Sequence, residues 1–589
     1  MQKARHFIVV TSVFTAFLAF AVHVDRVRES AADALTSDET ARSYIVQGDS
    51  TAAVDAAVRA VGGEITHELN VIRAVAATLD AAQLDALRAD AAVTRLYGND
   101  AVEVAAPRPG KKDGGGKKNK GRNSDAMDTL YGQYISAHGL YSSGIDGSGV
   151  GIAVLDTGLW KHDGILYDSA GSVRIVASYD AINDRVRKNP SSGNDPAGHG
   201  THVASIVASS IRTKSGKFNG IAPGAHLVSV QAFDDIGQGR YADVIRAIGW
   251  VVANKAAHNI RILNLSFSAE PHSHYWDDPI NQAVMAAWQQ DIVVVAAAGN
   301  RGPDPMTIGV PGNVPYVITV GAMTDNFTPN DETDDRLASF SSAGPTQEGF
   351  VKPDLVAPGG HMLGLMQPNS YLATVYPEFY YGGMYFEMSG TSQATGVVSG
   401  VAALILQAHP TLSADEVKCR IVASAQPAIA TTEDGDGEVT ELAYSIFQQG
   451  AGLVHANRAV NRVRSGCVNQ GLDIDADVAG TRHFGGRANQ DADGNYYLMG
   501  LEGYLWTDST LATGGYVWTD AYTWTDGYVW TDGYLWTDGT IGMEGYLWTD
   551  GYVWTDGYLW TDSHVWMDGY LWTDALTEMA SMAGWVEQE

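Results

Sequence analysis

The spacing of apolar residues divides the chain into stretches of different character. A mostly apolar run covers 7–21. Between 41 and 104 short alternating runs mix with helical spacings. Ser43-Tyr44-Ile45-Val46 predicts a strand. Val54, Ala57, Val58 and Val61 share one helix face, which Gly62-Gly63 closes. Residues 65–71 predict another strand, Leu84 and Leu87 a second helix, and 93–104 a return to strand. Two βαβ-like passes in so short a stretch predict a compact α+β domain. Residues 107–124 (PRPGKKDGGGKKNKGRNS) break every periodicity, as a solvated linker does. Apolar runs of buried-strand type, such as 151–155, 260–263 and 292–298, then alternate with apolar, Ala-rich helices. From 501 to 574 the pattern repeats in units of six, close to Gly-Tyr-(Leu/Val)-Trp-Thr-Asp. Asp-Gly between β-prone runs is a hairpin signal, so a narrow meander fits. A solenoid of whole coils and a poorly ordered low-complexity tail fit equally well.

With 589 residues, several domains are expected. Acids number 68 against 38 Lys plus Arg, a formal net charge of -30. Such a chain is repelled by phosphate backbones and anionic membranes, so nucleic-acid binding is not expected. The charge is uneven: 501–589 holds fifteen acids and no Lys or Arg, whereas the linker has seven basic residues against Asp113. Lys3 and Arg5, the apolar run and Ala19-Phe20-Ala21 predict a cleaved signal peptide over 1–21. The run is shorter than a bilayer span needs, so no stable membrane span is expected after processing.

Three segments carry chemistry. Gly151-Ile152-Ala153-Val154-Leu155-Asp156-Thr157-Gly158 is an apolar run ending in an acid and a glycine turn. Gly198-His199-Gly200-Thr201-His202-Val203-Ala204 opens an apolar helix with a histidine. Ser389-Gly390-Thr391-Ser392-Gln393-Ala394-Thr395-Gly396 opens another with a serine. Alone, each is an ordinary turn, structural histidine or helix cap. Together they supply a nucleophile, a base for its proton, and a carboxylate that fixes the base's tautomer.

VLDTG, GHGTHVA and SGTSQAT, in that order, resemble the three active-site blocks of the subtilisin-like serine peptidases, the subtilases. The resemblance covers 125–464. It implies an α/β fold, a subtilisin-like doubly wound parallel sheet, and the roles of Asp156 as orienter, His199 as base then acid, and Ser392 as nucleophile. It implies that Asn300, ending the run AAAGN, joins the Ser392 N–H in an oxyanion hole. Gly237 and Gly239 on one side, and Ser266, Phe267 and Ser268 on the other, would pair with an extended substrate. Gly309 would leave a deep slot for large apolar or aromatic side chains before the cleaved bond, with broad specificity. His202 is expected to be structural. Gln393 and Gly396 depart from the Met and Pro frequent in the family.

Upstream, Tyr44-Ile45-Val46 and 72–79 resemble the subtilase prodomain, an intramolecular inhibitor and folding aid removed by self-cleavage. The expected organisation is signal peptide 1–21, α+β prodomain 41–106, basic linker 107–124, catalytic domain 125–464, acidic connector 465–500, a β-type or low-complexity repeat tail 501–574, and a terminus 575–589. Cys419 and Cys467 are expected to pair, given export. No cofactor is expected for the chemistry. Structural calcium is an expectation from the family, with Asp325, Asp331, Glu332, Asp334 and Asp335, residues 433–438, and 489–494 as acid-rich candidates. The resulting expectation is a secreted serine endopeptidase acting on proteins and peptides, free outside the cell or retained at its surface. The alternative is a surface adhesion protein whose working part is the repeat, with the peptidase serving maturation. The repeat's partner is unknown.

Overall fold

The computed structural model describes residues 41–104, 129–213, 216–326, 328, 334–434, 437–463, 465–490, 496–498 and a set of strands within 510–573. The predicted signal peptide, the basic linker 107–124 and the final residues lie outside the described residues. Among those described, no helix is long and apolar enough to cross a membrane.

Among the described residues, contacts define two bodies, one formed by 41–66 and 75–98 and the other by 67–74 and the described residues from 99 onward. The first α+β sheet has the order β2-β3-β1-β4, with β1 Arg42–Gly48, β2 Glu64–Leu69, β3 Ala74–Leu79 and β4 Val93–Gly98. Helices α1 (Thr51–Ala60) and α2 (Ala81–Arg88) begin at side-chain caps. Ser50 accepts from the Ala53 N–H, and Asp80 forms a capping box with Gln83. Val46, Val54, Val58, Val75 and Leu79 fill the core. Two expectations change. The strand over 65–71 ends at Leu69 in a 3-10 turn, and 93–104 is not one strand. Asn99 and Asp100 interrupt it, and β5 (Ala101–Glu103) belongs to a different sheet.

The second body is built on a nine-stranded sheet of order β14-β13-β12-β11-β6-β9-β7-β8, with β15 also on β13. Its middle is parallel: β7 Ile175–Asp180, β9 His226–Gln231, β6 Gly151–Asp156, β11 Ile260–Leu265, β12 Val293–Ala297 and β13 Ile318–Thr324. β8 (Arg185–Val186) and β14 (Arg336–Leu337) are antiparallel edges, while β15 (Leu355–Pro358) is parallel to β13. β6 is buried throughout, which is why its sequence is apolar rather than alternating. The chain passes from β6 to β7 and β9 on one side, then to β11, β12 and β13 on the other. The crevice at the C-terminal end of β6 is therefore the switch point, where such sheets place their ligands.

Helices α3 (His199–Ala208) and α6 (Thr391–Ala408) pack closely together. A Cβ on Gly396 would come 3.3 Å from Val203 O, and one on Gly400 3.2 Å from Val207 O. Gly396, where the family often has proline, thus sits at the contact between the two helices. Cys419 on α7 (Ala414–Val422) is disulfide-bonded to Cys467.

The repeat strands pair in parallel, each residue with the one three units further on. Trp518 is opposite Trp536, Trp536 opposite Trp554, and Trp554 opposite Trp572. Ala512 is opposite Trp530, and Gly542 lies between Trp524 and Trp560. Successive units thus fall on three separate sheets. A meander would instead make neighbouring units antiparallel partners.

Candidate active site

Asp156 is the last residue of β6, and His199 the first of α3. Both are buried, at 1% and 0% exposure. The His199 Nδ1–H donates to Asp156 Oδ1 at 2.7 Å and lies 2.9 Å from Oδ2. A carboxylate can only accept, so this contact fixes the tautomer with its proton on Nδ1 and leaves Nε2 as an acceptor. That Nε2 is buried and has no hydrogen-bond partner. The Thr157 N–H also donates to Asp156 Oδ1, at 2.8 Å.

Gly198 caps α3 at φ +99°, a conformation that suits glycine, and a Cβ there would meet Ser370 Oγ at 2.7 Å. The turn is held by Asp195, which the sequence did not single out. Its buried carboxylate accepts from Thr157 Oγ1 and Gly198 N with one oxygen, and from Thr201 N and Thr201 Oγ1 with the other, at 2.7–2.9 Å. Burial raises its pKa although all four bonds oppose the shift. Thr157 Oγ1 in turn accepts from Gly200 N at 2.9 Å, so the residues on both sides of His199 are tied to one network.

Ser392 lies in the first turn of α6 and is fully buried. Its hydroxyl donates to Ser266 O at 2.9 Å rather than to His199. Ser266 Oγ donates to Ser392 O at 3.0 Å and accepts from Asn264 Nδ2 at 2.9 Å. Asn264 Oδ1 accepts from Ser399 Oγ, so β11 and α6 are laced together beneath the serine. Asn300 Oδ1 accepts from Thr391 N and Thr391 Oγ1, both at 3.0 Å. Its oxygen is thereby occupied, and the NH₂ end is the one left to donate.

His202 is fully buried, and burial lowers its pKa to about 4. Its Nε2–H donates to Phe386 O at 3.0 Å, and its Nδ1 lies 3.4 Å from Gln393 Nε2. Gln393, the other departure from the family pattern, therefore has a polar neighbour that a Met side chain would not serve.

The segment 101–104 lies in the cleft between the two predicted substrate-binding stretches. β5 is antiparallel to β10 (Gln238–Arg240), with Gly239 opposite Val102. Val104 N donates to Gly237 O at 3.0 Å, and Val104 bridges Phe267. Ser268 and Gly309 meet beside it. A Cβ on Gly309 would sit 1.9 Å from Ser268 Oγ, so only glycine allows this approach. A cavity of about 290 Å³ is lined by Met306, Thr307 and Ile308, which lead into Gly309, and among others by Glu270, Arg301, Asn313 and Thr346. Glu270 and Arg301, also missed in the sequence, form an exposed ion pair at 3.3 Å.

Among the described residues no three His, Cys, Asp or Glu side chains gather as metal ligands. Asp334 accepts instead from Asn326 and Thr328. Residues 331–332 and 491–494 lie outside the described residues, and 433 and 438 face each other across a hairpin.

The subtilase family model matches residues 147–452. The chain belongs to that family and is a subtilisin-like serine peptidase. It is 42% identical over 279 residues to serine protease AprX of Bacillus subtilis (strain 168), a match spanning 46% of this chain and 60% of AprX. It is 31% identical over 368 residues to subtilisin E of the same organism, covering 62% of this chain and 78% of that protein. Among solved structures it resembles fervidolysin from Fervidobacterium pennivorans, a keratinolytic enzyme related to subtilisin. The TM-score is 0.52 at 24% identity, over 73% of this chain and 62% of that one, a likeness of fold.

Proposed function

We propose that the protein is a secreted endopeptidase that hydrolyses peptide bonds through an acyl-enzyme on Ser392. The observation that carries this reading is His199, tied through Nδ1 to both oxygens of a buried Asp156 while its buried Nε2 remains unpartnered. A substrate strand lies between 237–240 and 266–268. Ser392 Oγ leaves its bond to Ser266 O and attacks the scissile carbonyl, and His199 Nε2 takes its proton. Asp156 stabilises the imidazolium that results. The oxyanion is held by the Asn300 NH₂ and the Ser392 N–H, a preorganised pair in a buried site. His199 then gives the proton to the leaving amine, and water releases the acyl group by the same steps in reverse.

The slot beside Gly309 favours large apolar or aromatic side chains before the cleaved bond, with broad tolerance elsewhere. Residues 41–106 act as the enzyme's own inhibitor and are removed by self-cleavage. This is supported by 101–104 lying where substrate would, paired with β10. The test is to express the wild type and Ser392→Ala and to follow both the N-terminal mass and casein hydrolysis. Processed, active wild type beside unprocessed, inactive mutant is expected. Equal behaviour of the two rejects the proposal.

A further inference from the structure

Residues 465–490, the first part of the stretch 465–500 that reads in the sequence as an acidic connector, are folded against two loops that also wall the cavity next to Gly309. The first loop runs from Glu270 and Pro271, on the cavity, to Tyr275 and Trp276. The second runs from Pro345 and Thr346, also on the cavity, to Glu348 and Phe350. Glu348 joins the two loops. Its Oε1 accepts from Tyr275 N at 3.1 Å and lies 3.2 Å from His274 Nδ1. Tyr275 meets the Phe350 ring edge-on.

The later segment grips both loops. Asp477 is buried and accepts through Oδ2 from the hydroxyls of Tyr275 and Tyr316, while its Oδ1 is 2.7 Å from His483 Nδ1. His483 stacks on Trp276 with ring centroids 4.6 Å apart, and His274 also stacks on Trp276 at 4.4 Å. On the second loop, Gly486 N donates to Glu348 O at 2.7 Å, and Ala488 N to Gly349 O at 2.9 Å. A Cβ on Gly486 would sit 2.0 Å from Gly349 O, so the contact requires glycine there. The disulfide at Cys467 fixes the start of this strap. Three donors on one buried carboxylate, a ring stack and two backbone bonds are more than a connector needs. They converge on loops whose other ends wall the cavity.

We infer that residues 473–488 are a strap that sets the wall of the specificity pocket, with Asp477 and His483 as its positioning residues. This rests on the peptidase reading above and deepens it: selectivity for the side chain before the scissile bond depends on chain that follows the catalytic fold. A pocket discriminates by how closely its wall fits the side chain, so loosening the wall affects large side chains and spares small ones.

The experiment uses the full chain after activation, with active sites counted by an organofluorophosphonate label. Peptide p-nitroanilides that differ only in Phe, Leu or Ala before the bond are compared for Asp477→Ala, Asp477→Asn and His483→Ala. For Asp477→Ala, kcat/KM on Phe should fall about tenfold through KM, while kcat/KM on Ala stays within about twofold. Asp477→Asn, whose oxygen still accepts from both tyrosines, should lie between it and the wild type. If Asp477→Ala does not accumulate, His483→Ala, which leaves both tyrosine bonds intact, should show the same selective loss at about threefold. A fall shared equally by Phe and Ala, or no change in either, overturns the inference. A wild type that neither labels nor cleaves would instead overturn the peptidase reading.

Discussion

Replacing Asp195 tests how far the proposed base depends on the turn that presents it. Asp195→Ala removes an acceptor for four donors: Thr157 Oγ1, Gly198 N, Thr201 N and Thr201 Oγ1. The two hydroxyls can rotate towards other acceptors, but the two buried N–H groups cannot. Each such group left unpaired costs about 1–3 kcal/mol, so unfolding free energy should drop by roughly 4 kcal/mol. Part of that loss is offset because a buried charge, whose cost shows in the raised pKa of Asp195, is also removed. The catalytic effect follows from geometry. Gly198 and Gly200 flank His199, and both are bonded into this network. A shift of order 1 Å at a reacting group costs on the order of 10²-fold, so kcat should fall by about that factor with KM little changed. Asp195→Asn keeps the oxygen facing Thr157 and Gly198 but turns an NH₂ towards Thr201, so it should fall midway. Kinetics on a peptide p-nitroanilide measure the first effect, and urea unfolding in a Ser392→Ala background measures the second. A kcat within threefold of wild type, or a loss carried by KM, would show that His199 does not depend on the Asp195 turn for its placement.

Four further outcomes are expected. Asn300→Ala should lower kcat by about 10²–10³ with KM nearly unchanged, the range for losing one oxyanion donor; steady-state kinetics decide it. Gly309→Val should lower kcat/KM by roughly tenfold or more on Phe and Ala substrates alike, since its Cβ would displace Ser268 Oγ and press against Ala269 O beside the predicted substrate-binding stretch; a substrate series reads this. Replacing Cys419 and Cys467 together by Ser should lower unfolding free energy by about 4 kcal/mol on the chain-entropy model and leave kcat intact; denaturant titration with active-site counting tests both parts. His202 has its folded pKa lowered to about 4 by burial, so the unfolded chain binds more protons below pH 6.5. Its contribution is complete above pH 6.5 and lost as pH falls towards 4. The stability advantage of wild type over His202→Gln, both carrying Ser392→Ala, should therefore shrink by roughly 3 kcal/mol between pH 7 and pH 4.

The proposed triad was legible because its chemistry admits few residue types and each sits at the end of a patterned element. Asp156 ends an apolar strand, and His199 and Ser392 open apolar helices. Asp195 was not legible. Asn-Asp-Pro reads as any turn, and only the fold shows four donors converging on it. Glu270 and Arg301 look like ordinary surface charges until two loops bring them together. The strap was hidden for a different reason. Asp477 lies 202 residues from Tyr275 and 161 from Tyr316, and no local pattern encodes such a contact. The boundary in 93–104 was missed because β-propensity continues across Asn99-Asp100 while the pairing partner changes. In the repeat, a period of six is shared by a meander and a coil. The parallel register three units apart separates them, and that register is a property of the fold rather than of any one unit.

The most direct test of the account is the site of covalent labelling by an organofluorophosphonate, read by mass spectrometry on the activated enzyme. One label per active molecule is expected on the peptide containing Ser392, strongly slowed by His199→Ala and absent in Ser392→Ala. Labelling at another residue, or labelling of Ser392 that proceeds as fast without His199, would contradict it.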